Sequence, residues 1–294
     1  FKKYFEMKTY QKINTMYKRY QHMNKETCPN PKWMVFSNQI ILHEFSNEVA
    51  EYLFDCKWEG YCKIDGTNSK IAFYPSSGEI KVGGKTDNAQ SIKGQFEFLE
   101  KIGERIKPML QEMFPKETAK FEQVLGDDKK PIYGDIDENT KSVTLVESPI
   151  YIYGEYYGEG VQKSGGVYGE RNFAVFDINQ QGWWIPSDMR HDICSKLGLN
   201  EVPYFGTMTL REIEERVRKG FHTYVPNAKD PSFIEEGVVC RPPIGLKDSR
   251  GERVIVKIKH GDYMKYDKAR SQFTDEEFNE FNEWYKNYIK TIEK

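Results

Sequence analysis

At 294 residues the chain can bury a full core in one large domain or two modest ones, and an aromatic content of 14% suits a sheet-containing fold. Its 43 Lys and Arg nearly cancel 45 Asp and Glu, which excludes an overall positive field and leaves any nucleic-acid partner to a local patch. The cysteines Cys28, Cys56, Cys62, Cys194 and Cys240 form no Cys-x-x-Cys pair and fit reduced thiols in a cytoplasmic protein; no apolar run reads as a membrane span and no secretory signal is recognisable.

In residues 1–25, Tyr10, Ile13, Met16 and Tyr17 recur at helical spacing among lysines, which predicts an amphipathic helix or two short ones, broken by Cys28-Pro29-Asn30-Pro31. Residues 45–54 fit a helical or an extended reading. Residues 57–84 read as strand, turn, strand, turn, strand, with Asp65-Gly66 as the first hairpin turn and Ser76-Ser77-Gly78 as the second. Residues 92–113 predict a helix with Ile92, Phe96, Leu99, Ile102, Ile106 and Leu110 on one face. A polar break at Gly126-Asp127-Asp128 precedes strands at 142–147, 150–157 and 172–179. The glycine-rich stretch 158–169 lacks the Lys and Ser/Thr of a P-loop and reads as a mobile connection. Residues 187–197 and 209–219 predict surface helices, 237–240 and 253–259 strands, and 274–293 a terminal helix with an aromatic face. Strands and helices mix without a strand-helix-strand beat, so the fold class is α+β with mainly antiparallel sheets flanked by helices.

Five stretches carry candidate chemistry. Lys63-Ile64-Asp65-Gly66-Thr67-Asn68 puts a lysine at a strand end before a turn, a placement that suits attack on a nucleotide phosphate; a solvated hairpin is the plainer alternative. In Tyr151-Ile152-Tyr153-Gly154-Glu155-Tyr156-Tyr157-Gly158 a glutamate sits mid-strand, which is costly unless something meets it. Arg171-Asn172-Phe173-Ala174-Val175-Phe176-Asp177-Ile178 is an apolar strand ending in an acid. In Ile234-Glu235-Glu236-Gly237-Val238-Val239 the two acids alternate faces, so one alone can enter a pocket. In Val254-Ile255-Val256-Lys257-Ile258-Lys259 the two lysines share a face. Singly, each has a structural explanation: hairpin, core strand or protected edge. The five histidines show no metal-ligand spacing, with His260 beside Lys259 the one near a candidate site, and Trp183-Trp184 reads as core or a ledge.

In this order and spacing, the five stretches resemble the covalent nucleotidyltransferase superfamily of DNA ligases, RNA ligases and mRNA-capping enzymes over about residues 58–263. Capping enzymes and DNA ligases usually carry Arg where Asn68 stands, so Asn68 points to RNA. The Tyr-Gly-Glu, Val-Phe-Asp-Ile and Val-Lys-Ile-Lys segments look most like the phage-type RNA ligase 2 family. That resemblance implies a nucleotidyltransferase (ATP-grasp-like) domain at 56–263; the flanks read as an N-terminal helical or extended segment at 1–55 packed on it and a C-terminal helix at 264–294, and the roughly thirty residues after Tyr263 are expected to hold no OB-fold, which DNA ligases and capping enzymes normally need. It further implies ATP, Mg2+ or Mn2+, RNA with 5′-phosphate and 3′-hydroxyl ends, no membrane, and a monomer.

Residue by residue, the resemblance gives Lys63 the attack on the α-phosphate of ATP and the covalent AMP. A lysine must shed its proton to do so, and Lys257, Lys259 or a metal can lower its pKa. Lys257 and Lys259 neutralise the phosphate, Glu155 binds ribose or helps hold metal, and Glu236 lies near metal and lysine. Phe176 stacks on adenine with Asp177 beside it, and Asn68 touches the ribose or phosphate edge. Asp65, where some members have His, and Lys85, where the family often has Arg, are substrate contacts; Lys85 lacks the bidentate fork. Cys62 stands where RNA ligase 2 members often have Glu. The alternatives are a DNA ligase, a GTP-using capping-type transferase, or an inactive nucleic-acid-binding module of the same fold.

Overall fold

Taken in chain order, the computed structural model, which describes residues 9–86, 91–92, 94–123, 133–137, 140–143 and 145–292, begins with strands β1 (Asn14–Thr15), β2 (Tyr17–Arg19) and β3 (Ile40–Phe45). Helix α1 (Glu48–Tyr52), β4 (Lys57–Cys62), β5 (Thr67–Tyr74), β6 (Glu79–Gly84) and the expected long helix, α2 (Gln95–Met113), follow. Next come β7 (Lys120–Gln123), β8 (Tyr133–Asp137), β9 (Thr140–Val143), β10 (Leu145–Ser148), β11 (Ile150–Tyr157), the one-turn α3 (Gly165–Tyr168) and β12 (Asn172–Gln180). The remainder is β13 (Trp183–Trp184), α4 (Ser187–Leu197), β14 (Asn200–Glu201), β15 (Tyr204–Thr209), α5 (Leu210–Lys219), β16 (Gly237–Arg241), β17 (Val256–Lys259), α6 (His260–Arg270) and α7 (Asp275–Ile292). This is the expected α+β mixture, and among the described strands only β1 with β17 and β12 with β14 pair in parallel. The polar break at Gly126-Asp127-Asp128 and the first eight residues of the expected N-terminal helix lie outside the described residues.

Two expectations are overturned. The described part of the N-terminal stretch is extended, not helical: Asn14 and Thr15 pair with Val256 and Lys257, and the Met16 N–H donates to the Lys257 carbonyl at 3.0 Å. The edge of β17 offers unpaired backbone groups, and satisfying them outweighs a weak local helical period. Asp65-Gly66 is likewise no hairpin turn, because β4 and β5 belong to different sheets. Both strands read correctly one at a time; their partners lie far along the chain, where local spacing carries no information.

The chain divides into two compact units. The first comprises Ile13–Lys63, Tyr204–Tyr224 and Ser232–Lys294, and its main sheet runs β1-β17-β16-β4-β15. Strand alternation sends Trp58 and Cys62 of β4, Val238 and Cys240 of β16, and Val256 and Ile258 of β17 into one core with Leu210, Ile213 and Val217 of α5. A helix as short as α5 is marginal alone; a capping box between Thr209 and Glu212 and three buried aliphatics, each worth about 1.5–3 kcal/mol, hold it. The opposite face of the sheet is left to Glu59, Tyr61, Lys63, Lys257 and Lys259. A separate aromatic cluster joins Tyr20, Trp33 and Phe36 to Phe281 and Tyr285 of α7, which accounts for the aromatic face of the terminal helix.

The second unit comprises the described residues of Phe1–Lys12, Ile64–Pro203 and Val225–Pro231. Its sheet runs β13-β12-β11-β5-β6, with β14 added on β12. One face, with Ile71, Phe73, Ile152 and Val175, is covered by Leu99, Ile106 and Leu110 of α2 and by Ile193 and Leu197 of α4. The other carries Asn68, Lys70, Tyr153, Glu155 and Asp177.

Candidate active site

The first unit gathers four of the expected residues on one sheet face. Lys63 stands one residue past β4, and its N–H donates to the Gly237 carbonyl at 2.9 Å. Glu236, immediately before β16, bridges two cations: one carboxylate oxygen receives Lys63 Nζ at 2.5 Å and the other receives Lys259 Nζ at 2.5 Å. Lys259 lies opposite Gly237 and Lys257 opposite Val239, so alternation along β17 puts both ammonium groups on the Lys63 face while Val256 and Ile258 anchor the strand in the core. Gly237 has to be glycine, since a Cβ there would come within 2.0 Å of the Ile258 carbonyl oxygen. Glu235 turns the other way and is buried, accepting a hydrogen bond from Thr223. His260, beside the cluster in sequence, turns to the end of α5, where its Nδ1 donates to the Val217 carbonyl at 2.9 Å.

Three lysines against one glutamate leave the cluster with a surplus of positive charge. Burial opposes ionisation of Glu236, but Lys63 and Lys259 outweigh it and hold its carboxyl below the usual range. Burial first, then the charges of Lys259 and Lys63, bring Lys257 down from 10.5 to about 8. Lys257 is thus cationic below about pH 8 and neutral above it. Because its folded pKa lies below its unfolded one, the cost of keeping it charged is full below about pH 8 and is relieved as pH rises toward 10.5. Among the described residues Glu236 is the acid that acts against that shift, so Glu236→Gln should move the Lys257 midpoint further below 8 in an NMR titration of the lysine side chains. An unmoved or raised midpoint would count against the electrostatic coupling of the cluster.

The second unit holds the other expected residues. Asn68 on β5 lies directly opposite Glu155 on β11. The Asn68 Oδ1 is buried without a hydrogen-bond partner among the described residues, an acceptor available to a hydroxyl or amino donor. Gly66 brings the turn hard against the same strand: a Cβ on it would lie 2.5 Å from the Tyr156 carbonyl oxygen and 2.8 Å from Glu155 Cγ. Lys85 is exposed, one residue past Gly84, which pairs with Ser69. Asp65 faces inward, its carboxylate accepting from Ser164 and its N–H donating to the Tyr168 hydroxyl at 3.2 Å.

A bulge sets the Phe176 and Asp177 pair. Tyr153 is opposite Asp177 and Gly154 opposite Val175, so Phe176 has no residue facing it on β11. Consecutive residues can then both reach Tyr10: its hydroxyl donates to the buried Asp177 at 2.5 Å, and its ring meets Phe176 edge-on at 5.0 Å. Tyr10 also packs against Tyr153 and Trp184, whereas Trp183 is 72% exposed and is not core. Neither the bulge nor Tyr10 was legible in sequence; one aromatic among lysines carries no signal of a partner so distant.

Among the described residues no three His, Cys, Asp or Glu side chains come together as a metal cage. Glu236 already has a lysine on each oxygen, so the residues fit a divalent ion that brings its own phosphate and water ligands, the usual habit of Mg2+, better than a free ion.

The family model for RNA ligase matches residues 57–259. No curated protein matches the chain in sequence. Among solved structures it aligns with Naegleria gruberi RNA ligase with PPi, at 16% identity and a TM-score of 0.47, over 75% of this chain and 54% of that one. It also aligns with a lysine-to-methionine mutant of that ligase with AMP and Mn, at 15% identity and a TM-score of 0.46, over 74% and 54%. The chain spans about half the length of these structures.

Proposed function

Because the chain belongs to the RNA ligase family, we propose that it is an ATP-dependent RNA ligase working through AMP carried on Lys63. The observation that supports this reading best is the sharing of Glu236 by Lys63 and Lys259, with Lys257 beside them: a nucleophilic amine among cations suited to a polyphosphate. In the first step the neutral Lys63 Nζ attacks the α-phosphorus, a nitrogen–phosphorus bond forms, and pyrophosphate leaves with the bridging oxygen. In the second, an oxygen of an RNA 5′-phosphate attacks the same phosphorus and Lys63 is released. In the third, a 3′-hydroxyl attacks the activated 5′-phosphate, AMP leaves, and the phosphodiester forms.

Lys257 and Lys259 neutralise charge on the transferring phosphate. Glu155 and Asn68, paired across two strands, take the ribose hydroxyls, for which the unpartnered Asn68 Oδ1 is a suitable acceptor. Phe176 stacks on adenine, Asp177 keeps Tyr10 against it, and Lys85 contacts RNA or phosphate. Glu155 in the second unit and Glu236 in the first are the carboxylates that would be available to Mg2+ or Mn2+, which would supply further neutralisation of phosphate charge. We assign the chain to the RNA ligase 2 type, with its catalytic stretch at 56–263, acting as a cytoplasmic monomer. Among the described residues no helix is long and apolar enough to cross a membrane.

The test is covalent labelling. Incubation with α-labelled ATP and Mg2+ should add one AMP by intact mass, labelling with GTP should be absent, and a nicked RNA duplex should be sealed where a DNA nick is not. Labelling by GTP would favour a capping-type transferase, sealing of DNA a DNA ligase, and no label at all an inactive binding module.

A further inference from the structure

The stretch 158–169 is tied to the turn that follows Lys63, contrary to its reading as a mobile connection. Three consecutive residues of that turn are held from it. Ser164 Oγ donates to the Asp65 carboxylate, and the Tyr168 hydroxyl accepts from the Asp65 N–H at 3.2 Å. Gln162 Nε2 reaches the Gly66 carbonyl at 3.4 Å and Thr67 Oγ1 at 3.3 Å. The tie is itself anchored: the Tyr168 ring is buried edge-on against Tyr157 at 5.6 Å, the Glu159 N–H donates to the Gly169 carbonyl at 2.8 Å, and the Asp230 N–H donates to the Val167 carbonyl at 3.0 Å.

We propose that Ser164 and Tyr168 are positioning residues for adenylyl transfer, acting through Asp65 as a latch on the turn after Lys63. The proposal rests on the ligase reading. Neither side chain need touch ATP. Asp65 follows the nucleophile by two residues, and fixing both its amide and its carboxylate removes backbone freedom that would otherwise be lost as the nitrogen–phosphorus bond forms and pyrophosphate leaves. This gives Asp65 internal partners beside the substrate contact that its motif position implies, and gives the glycine-rich stretch a reason to carry a serine and a tyrosine.

Ser164→Ala and Tyr168→Phe each remove one half of the latch and leave the burial of the Tyr168 ring intact. Single-turnover labelling of the full chain at saturating ATP should slow by about ten- to a hundredfold in each, with the half-saturating ATP concentration changed by less than about twofold. Ser164→Thr, which keeps the hydroxyl, should recover most of the rate. Hydrogen exchange should show the Asp65 amide opening faster in Tyr168→Phe. Wild-type rates in both alanine and phenylalanine variants, a loss confined to ATP affinity, or an Asp65 amide no faster than wild type each overturns the latch while wild-type labelling leaves the ligase reading in place. A wild-type chain that takes no label ends the ligase reading, and the positioning role with it, whatever the exchange shows.

Discussion

Lys63→Ala should take up no AMP from ATP, a loss on the order of 10⁴-fold or more, as expected when a nucleophile is deleted and not merely displaced. Lys63→Arg should be as inactive, because a guanidinium stays protonated and offers no lone pair at neutral pH. The informative comparison is Lys257. Its pKa of about 8 makes it the more obvious source of a neutral amine near pH 7.5, so an argument from titration alone would name it the nucleophile. Geometry argues otherwise. Lys63 stands one residue past the end of β4 and pairs with Glu236, whereas Lys257 is held within β17 between Val256 and Ile258, both buried. Lys257→Ala should therefore slow labelling but keep it, and the AMP-bearing peptide should still contain Lys63. Folding should tolerate Lys63→Ala to within about 1 kcal/mol, since Glu236 keeps Lys259 and the pair is partly solvated. A labelled Lys63→Ala protein, or AMP mapped to Lys257, would sink the assignment.

The first unit's cluster was readable because each part of it has a local signature. Lys257 and Lys259 alternate with apolar residues, which fixes their face; Glu235 and Glu236 must point to opposite sides, and Glu236 is the one on the lysines. The extents of β11, β12 and α4 followed from periodicity in the same way, since burial on one side writes its period into the sequence. What escaped were features made by pairing. That β4 and β5 sit in separate sheets, that Asn14 and Thr15 add to β17, and that Ser164 meets Asp65 depend on partners that no short window contains. The bulge at Phe176 belongs with these, because an extra residue in one strand shows only against its neighbour. Gly66 stands between the two classes: its local sequence is that of a hairpin glycine, and its need for glycine comes instead from contact with β11.

That contact makes Gly66→Ala the most damaging small substitution expected in the chain. The added methyl would lie 2.5 Å from the Tyr156 carbonyl oxygen and 2.8 Å from Glu155 Cγ. Tyr156 lies opposite Thr67 in the β11–β5 ladder, so its carbonyl cannot retreat without disturbing the pairing. Glu155 can swing aside, but doing so withdraws the carboxylate proposed to meet the ribose or metal. The remaining escape is movement of the turn itself, which lies three residues past Lys63. Overpacking of this kind costs about 1–3 kcal/mol, and a displacement near 1 Å at the reacting amine costs roughly a hundredfold in rate. Gly166→Ala is the matched control, because nothing lies within 4 Å of the Cβ it would add. Thermal melting and single-turnover labelling of the two variants side by side should show Gly66→Ala melting earlier and labelling at least about tenfold more slowly per folded molecule, with Gly166→Ala close to wild type. If the two alanines behave alike, the turn is not pressed against Glu155 and the account of how Lys63 is aimed fails at its first step.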